Sequence, residues 1–303
     1  MNQSRLPSRG KGELCCYSWN PACAPRAIVQ LVHGIAEHSL RYDAFAQYLA
    51  SCGILVVSED HMGHGASIDN TQPRCYFHGG WDAAVDDIYA LMLQTKADFP
   101  DVPYFLFGHS MGSFLTRTFL IKYPDAGLCG AILSGTAWQN PAVLAAGLTV
   151  CRIEAARIGR KSVSKLLNKM AFGTYNRHFK PSRTPHDWIN SLPEEVDLYQ
   201  SDPLCGFDAT VGIAQDMLRA IKRIQQPELL KKMNRALPVF FIAGKDDPVG
   251  NMGKGVIKAA DAFSRVGMCK VQHTLYGGRH EILRDKDKAQ VFRDILDFIA
   301  CHI

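Results

Sequence analysis

The apolar residues of this chain fall into short compact runs separated by stretches of helical spacing. AIVQLV at 27–32, ILVVS at 54–58, YFLF at 104–107 and LCGAILS at 128–134 are apolar blocks of strand length, the pattern of strands covered on both faces. Gly12 to Trp19 reads as a further strand ahead of them. Between the blocks, Tyr42 to Cys52 carries Phe45 and Leu49 at helical spacing, Trp81 to Phe99 carries Val85, Ile88, Leu91 and Met92 on one face, and Ser113 to Tyr123 forms a third such stretch. Gly53, Pro100 and Pro124 end these helices. Alternation of this kind predicts a mostly parallel central sheet flanked by helices, an α/β fold.

From about residue 138 to 228 the alternation lapses into helical pieces broken by Gly, Pro and Asn, with no apolar block of strand type. It resumes with PVFFIAG at 238–244, a helix from Met252 to Val266, the strand CKVQHTLY and a helix from about Ala289 to His302. The expectation is a core in two parts, 1–137 and 229–303, with a helical insertion at 138–228.

With 303 residues, 47% of them hydrophobic, the chain can bury a full core, and a formal charge of +5 gives no reason to expect a nucleic-acid partner. The N-terminus lacks the apolar centre of a secretory signal, and no run approaches the roughly 18 apolar residues of a spanning helix, so the reading is a cytoplasmic protein. Ten scattered cysteines show no C-x-x-C pairing; reduced thiols are expected, with Cys52 and Cys129 buried beside apolar runs. Charge is concentrated in one place: between Arg152 and Arg183 there are nine lysines and arginines against one acid, Glu154, directly after the apolar stretch 142–150. A basic, partly amphipathic insertion suits acyl chains with polar or anionic heads, or transient contact with a lipid surface, although a solvated helix face beside an apolar core has the same composition.

The chemistry centres on GHSMG at 108–112, a G-x-S-x-G turn lying between a strand and a helix, the context of a nucleophile elbow. Ser110 would project from a strained turn that its flanking glycines permit, and the Met111 N–H at the helix N-terminus would face a developing oxyanion. A serine needs a histidine base and a carboxylate to orient it, in the chain order Ser, acid, His for this fold. The loop after PVFFIAG offers Asp246 or Asp247, either of which can cap an Asp-Asp-Pro turn, and the loop after CKVQHTLY offers His280. His273 lies within that strand and is expected to be packed. Ile35, after the strand VQLV, is placed to give a second oxyanion N–H. His33, His38, His61 and His64 fit neither H-E-x-x-H nor another metal spacing, and GHGAS is not G-x-G-x-x-G, so no metal and no cofactor is expected. Asp60 and Ser67 are expected to tie their own loop together.

HGIAEHSLRY, DHMGHGAS, GHSMG, GKDDPV and GGRHEIL, in that order, resemble the monoacylglycerol lipase and lysophospholipase-like branch of the α/β-hydrolases, grouped with serine aminopeptidases. The resemblance covers about 28–136 and 237–303. It implies a helical cap over the nucleophile, and it implies that the carboxylate directly before the proline, Asp247, is the acid, although the valine of the family's G-x-x-D-x-x-V pattern is displaced by one residue here. It also implies Ile35 as an oxyanion donor, and Glu37 and Arg41 either as a hold on a polar alcohol or as a pair anchoring their own loop. The activity implied is hydrolysis of carboxylic esters of monoacylglycerol or lysophospholipid type, through an acyl-enzyme on Ser110. The alternatives are an aminopeptidase, in which Glu194, Glu195 or Asp197 would receive an ammonium group, and a non-catalytic binding protein of the same fold.

Overall fold

A computed structural model describes all 303 residues. Its strands are β1 (Asn2–Pro7), β2 (Glu13–Trp19), β3 (Ala27–Val32), β4 (Ile54–Glu59), β5 (Tyr104–His109), β6 (Gly130–Ser134), β7 (Val239–Gly244) and β8 (Val271–Tyr276). They form one sheet in the order β1-β2-β4-β3-β5-β6-β7-β8, in which β4 through β8 pair in parallel and β1 and β2 add an antiparallel edge. The helices of the core are α1 (Asp43–Ser51), α2 (Gly80–Asp98) and α3 (Met111–Lys122), followed late in the chain by helices 254–265 and 288–300.

The two-residue period of each strand sorts its side chains between two cores. Ile28, Leu106, Leu133 and Phe241 point toward α2, α3 and the 254–265 helix, where they meet Ile88, Leu115, Phe119 and Phe263. Their neighbours Val29, Phe105, Ile132 and Phe240 point toward α1 and the 288–300 helix and meet Phe45, Leu49, Ile295 and Phe298. This double covering is why the central strands read as unbroken apolar blocks.

Two expectations need correction, and one strand was not anticipated. The polar segment NQSRLP carries no apolar alternation, yet it forms β1, an exposed edge strand held by its register against β2. His273 is exposed rather than packed, because β8 is the outermost strand and has a sheet neighbour on one side only. Cys52 and Cys129 are half-buried at element ends, and all ten cysteines are free.

Between β6 and β7 lie α4 (Pro141–Ile158), α5 (Lys165–Phe172), α6 (Pro193–Ser201) and α7 (Val211–Arg223); the short α8 (Pro227–Leu230) then leads into β7. The helices that follow in the core are α9 (Lys254–Arg265) and α10 (Lys288–Ala300). Helix α4 packs along α7, and α7 packs on α2 and α3, so the inserted helices rest on the elbow helix. None of the helices is long and apolar enough to cross a membrane.

One buried side chain joins this layer to the core. Arg117, on α3, is fully buried and donates to Ala137 O at 2.9 Å, Thr136 Oγ1 at 3.3 Å and Ile224 O at 3.1 Å, groups that lie just before α4 and just after α7. Burial lowers its pKa to about 9, so it stays charged at neutral pH. Its charge is solvated by carbonyls and a hydroxyl, with the Trp138 and Phe263 rings 5.8 and 5.7 Å away. Arg117→Ala would strand these acceptors and open a void, and should cost about 3 kcal/mol or more in urea unfolding. An unchanged midpoint would show that the contact carries no stability.

Candidate active site

Ser110 occupies the turn from β5 to α3 with φ 53° and ψ −120°, a conformation non-glycine residues rarely adopt. Packing on both sides fixes it. A side chain at Gly108 would collide with Thr116 Oγ1 and Gly112 O, and one at Gly112 would run into Val32 O of β3. The Ser110 N–H donates to Ser134 O at 2.9 Å, and Ser113 Oγ donates to Ser110 O at 2.6 Å. The Met111 N–H, at the N-terminus of α3, donates to no group of the chain.

Asp247 and His280 come from the turns after β7 and β8. Asp247 is fully buried; its Oδ1 accepts from the Val249 N–H at 2.9 Å and its Oδ2 lies 2.9 Å from His280 Nδ1. With Nδ1 donating to the carboxylate, Nε2 is left as the basic nitrogen. Burial disfavours the imidazolium, but the Asp247 charge and hydrogen bond, with Glu281 and Glu37 behind them, more than offset it and hold the His280 pKa above the ordinary value. Asp246 is exposed, and the carboxylate hydrogen-bonded to His280 Nδ1 is that of Asp247. Gly135 leaves room for both rings here: a Cβ on it would lie 2.9 Å from His280 Cε1 and 3.1 Å from His109 Cε1.

Ile35 sits on the loop after β3, where backbone hydrogen bonding sets its orientation. His33 Nε2 accepts from the His61 N–H at 3.0 Å, so Nδ1 carries the proton and donates to Gly34 O at 2.7 Å. In a trans peptide the carbonyl and the following N–H point in opposite directions, so the Ile35 N–H turns away from His33. The loop passes close to the nucleophile: a Cβ on Gly34 would lie 3.1 Å from Ser110 Cβ. His33, His61 and His64 are buried together and burial lowers all three, His61 to about 3 and His64 to about 4, so they are neutral framework groups. Asp60 binds the loop further on, accepting from Ser39 N at 2.8 Å and Ala66 N at 2.7 Å, while Ser67 Oγ donates to Asp60 O at 2.7 Å.

Glu37 and Arg41 do not act as the isolated pair that their spacing suggests. Arg41 Nη2 donates to both oxygens of Glu281, at 2.8 and 2.6 Å, whereas its Nε lies 3.7 Å from Glu37 Oε2. Glu37 Oε1 accepts from the Gly34 N–H at 2.5 Å and from Tyr42 OH at 2.8 Å. Glu37 lines the large cavity described next and Arg41 does not.

Ser110, Met111, Ile35 and His280 all border one cavity of about 800 Å³. Its remaining wall is largely apolar and comes from the inserted helices, with Leu144 on α4, Leu167 on α5 and Leu218 on α7 among the contributors. Several of its residues were not foreseen from sequence. His109, inside the elbow motif, stacks near His280 at 4.7 Å between ring centroids, and Trp188 approaches from the insertion at 5.3 Å. Glu281 was detectable only as the residue after the candidate base. His38, Asp202 and Cys205 bring metal-type donor atoms within 4.8 Å of one another, but the His38–Asp202 pair is closed by its own 2.8 Å hydrogen bond. Acyl transfer to a serine needs no metal there.

Residues 23–287 match the family model described as serine aminopeptidase, S33. Among curated proteins, the chain is 31% identical to the monoglyceride lipase of Mus musculus, over 77% of this chain and 69% of that one. It is 26% identical to the monoglyceride lipase homolog of Monkeypox virus, over 94% and 93%. Among solved structures, a highly thermostable carboxyl esterase from Bacillus coagulans, in complex with glycerol, superposes with a TM-score of 0.92 at 29% identity, covering 99% of this chain and 98% of that one.

The geometry gives two expected outcomes. Asp247→Asn should lower kcat by about 10³- to 10⁴-fold while Asp246→Asn leaves it within a few-fold, and the reverse ranking would show that the wrong aspartate has been assigned. Because the raised His280 pKa keeps the ring protonated, and so unable to act as base, to a higher pH than usual, kcat/KM should fall with acidification through a midpoint above 6.5. A midpoint below that value would contradict the charge arrangement around the ring.

Proposed function

The chain belongs to the serine aminopeptidase S33 family of α/β-hydrolases, and from that premise we propose that it is a serine ester hydrolase cleaving monoacylglycerol-type esters through an acyl-enzyme. Ser110 Oγ attacks the ester carbonyl carbon as His280 Nε2 takes its proton, with Asp247 holding the ring. The oxyanion is received by the Ile35 and Met111 N–H groups, each such donor typically worth about 3–4 kcal/mol in the transition state. Collapse breaks the ester bond, and His280 returns the proton to the departing alcohol. Water, deprotonated by the same nitrogen, then releases the fatty acid.

The observation that carries this reading is the cavity: its volume and apolar wall suit an acyl chain, and it opens on Ser110. The aminopeptidase alternative calls on a carboxylate of the insertion as receptor for the substrate ammonium, and none of the three reaches the cavity. Glu195 is bound to Arg284 at 2.8 Å and Asp197 to Arg183 at 2.6 Å, and neither of them, nor Glu194, lines the cavity.

The insertion also supports contact with a lipid surface. Val143, Ile153, Leu166 and Met170 are exposed on α4 and α5, beside exposed Arg152, Lys165 and Lys169, while Arg157, Arg160 and Arg183 are spent on ion pairs. Ten free cysteines suit the reducing cytoplasm.

Purified protein should hydrolyse p-nitrophenyl esters and monoacylglycerol, label with a fluorophosphonate probe, and lose both properties in Ser110→Ala. Cleavage of aminoacyl anilides without esters would overturn the reading, and absence of Ser110-dependent labelling would favour a binding protein. Sedimentation with anionic vesicles should weaken in the Ile153→Asp, Leu166→Asp double variant; unaltered sedimentation would remove the lipid-surface role.

A further inference from the structure

We propose that Glu281, acting with Glu37, makes the leaving-group end of the site an anion filter, admitting esters of neutral polar alcohols and turning away those whose alcohol carries a phosphate. This rests on the ester-hydrolase reading above.

The position of the leaving group follows from the chemistry. The acyl chain takes the apolar wall built by α4, α5 and α7, and the departing oxygen must lie against His280, which protonates it. The His109 and Trp188 rings stand beside His280 on the cavity wall, and the carboxylates on that wall are Glu37 and Glu281.

Their one cationic partner is already engaged. Arg41 is 7% exposed and outside the cavity lining, with its Nη2 committed to both oxygens of Glu281. The other arginines nearby are held elsewhere: Arg284 pairs with Glu195 and donates to Arg41 O at 2.8 Å, and Arg279 donates to Asn190 O at 2.9 Å beneath the Phe179 ring. Lys254 and Lys258 do line the cavity, but they are exposed on α9, on the side of Trp138, and Lys258 stands over that ring. Two buried carboxylates therefore share one guanidinium, with the Asp247 carboxylate behind His280.

Burial is the larger cause that raises the Glu37 pKa, and the nearby Glu281 charge adds to it, while Arg41 opposes both. The same two carboxylates add to Asp247 in raising His280. A hydroxyl can still donate to such a surface. A phosphate monoester, carrying about −1.5 to −2 charges at pH 7, meets like charge in a site that solvent screens poorly.

The test compares kcat/KM for monooleoylglycerol and for oleoyl lysophosphatidate in mixed micelles of one neutral detergent. Wild type should prefer the neutral ester by on the order of 100-fold. Glu281→Gln, which keeps an oxygen for Arg41 and removes one negative charge, should narrow that ratio about tenfold, mainly through KM for the anionic ester, and Glu281→Asp should restore it. Hydrolysis of both esters within threefold by wild type would overturn the filter even if no variant folds. So would a folded Glu281→Gln with an unchanged ratio. Hydrolysis of neither ester would instead overturn the ester-hydrolase reading, and this inference with it.

Discussion

Everything at this site depends on a backbone conformation that Ser110 would not adopt by itself. A positive φ at a residue with a side chain is costly, and it persists only where the surroundings leave no alternative. Here they come from three elements at once. Strand β5 is locked between β3 and β6, helix α3 starts at the next residue, and the Gly112 backbone lies so close to Val32 O that no Cβ fits between them. The strain is thus balanced by the most buried part of the sheet, and the serine needs no flexible element to present it.

The same logic extends to the groups around it. Ser110, Asp247 and His280 sit on three separate turns that could drift independently, yet every one is closed by buried polar contacts of its own. Asp247 uses its second oxygen on the Val249 N–H. The His280 turn is fastened by Asp285, which accepts from Arg279 N at 2.8 Å and from Ser191 N at 3.1 Å, so one carboxylate ties the turn to the insertion as well. The loop that bears Ile35 is held by hydrogen bonds of His33 and His61, both kept neutral through burial, so those bonds do not switch near neutral pH. Buried polar networks of this kind specify one arrangement when all their members are satisfied.

The core was legible because its signals are local. Covered parallel strands are apolar blocks, and the helices between them carry one apolar stripe, so order and approximate ends could be read directly. The elbow, the turn after β7 and the turn after β8 were legible because motif and element context coincide. What escaped depended on long-range partners. β1 is polar and owes its existence to pairing with β2; His273 is exposed because of the place of β8 in the sheet order, which no window of sequence contains. Arg41 keeps Glu37 as an i, i+4 ion-pair partner at 3.7 Å but gives its hydrogen bonds to Glu281, 240 residues away. Arg117 reads as an ordinary helix-surface residue, and only the return of the chain at Ile224 shows what it holds.

The inserted helices divide their charge in a way that composition alone concealed. A net basic insertion suggests a site that welcomes anions. In the folded chain, Arg157, Arg160 and Arg183 are consumed by carboxylates, and Arg152, Lys165 and Lys169 face outward beside exposed apolar residues. The carboxylates that reach the cavity are Glu37 and Glu281, and its two lysines, Lys254 and Lys258, are exposed on α9. Unpaired positive charge therefore lies on the outer surface, and the carboxylates face the cavity. The proposed lipid-surface contact and the proposed anion filter act on different parts of the molecule, and an uncharged lipid is the substrate that suits both.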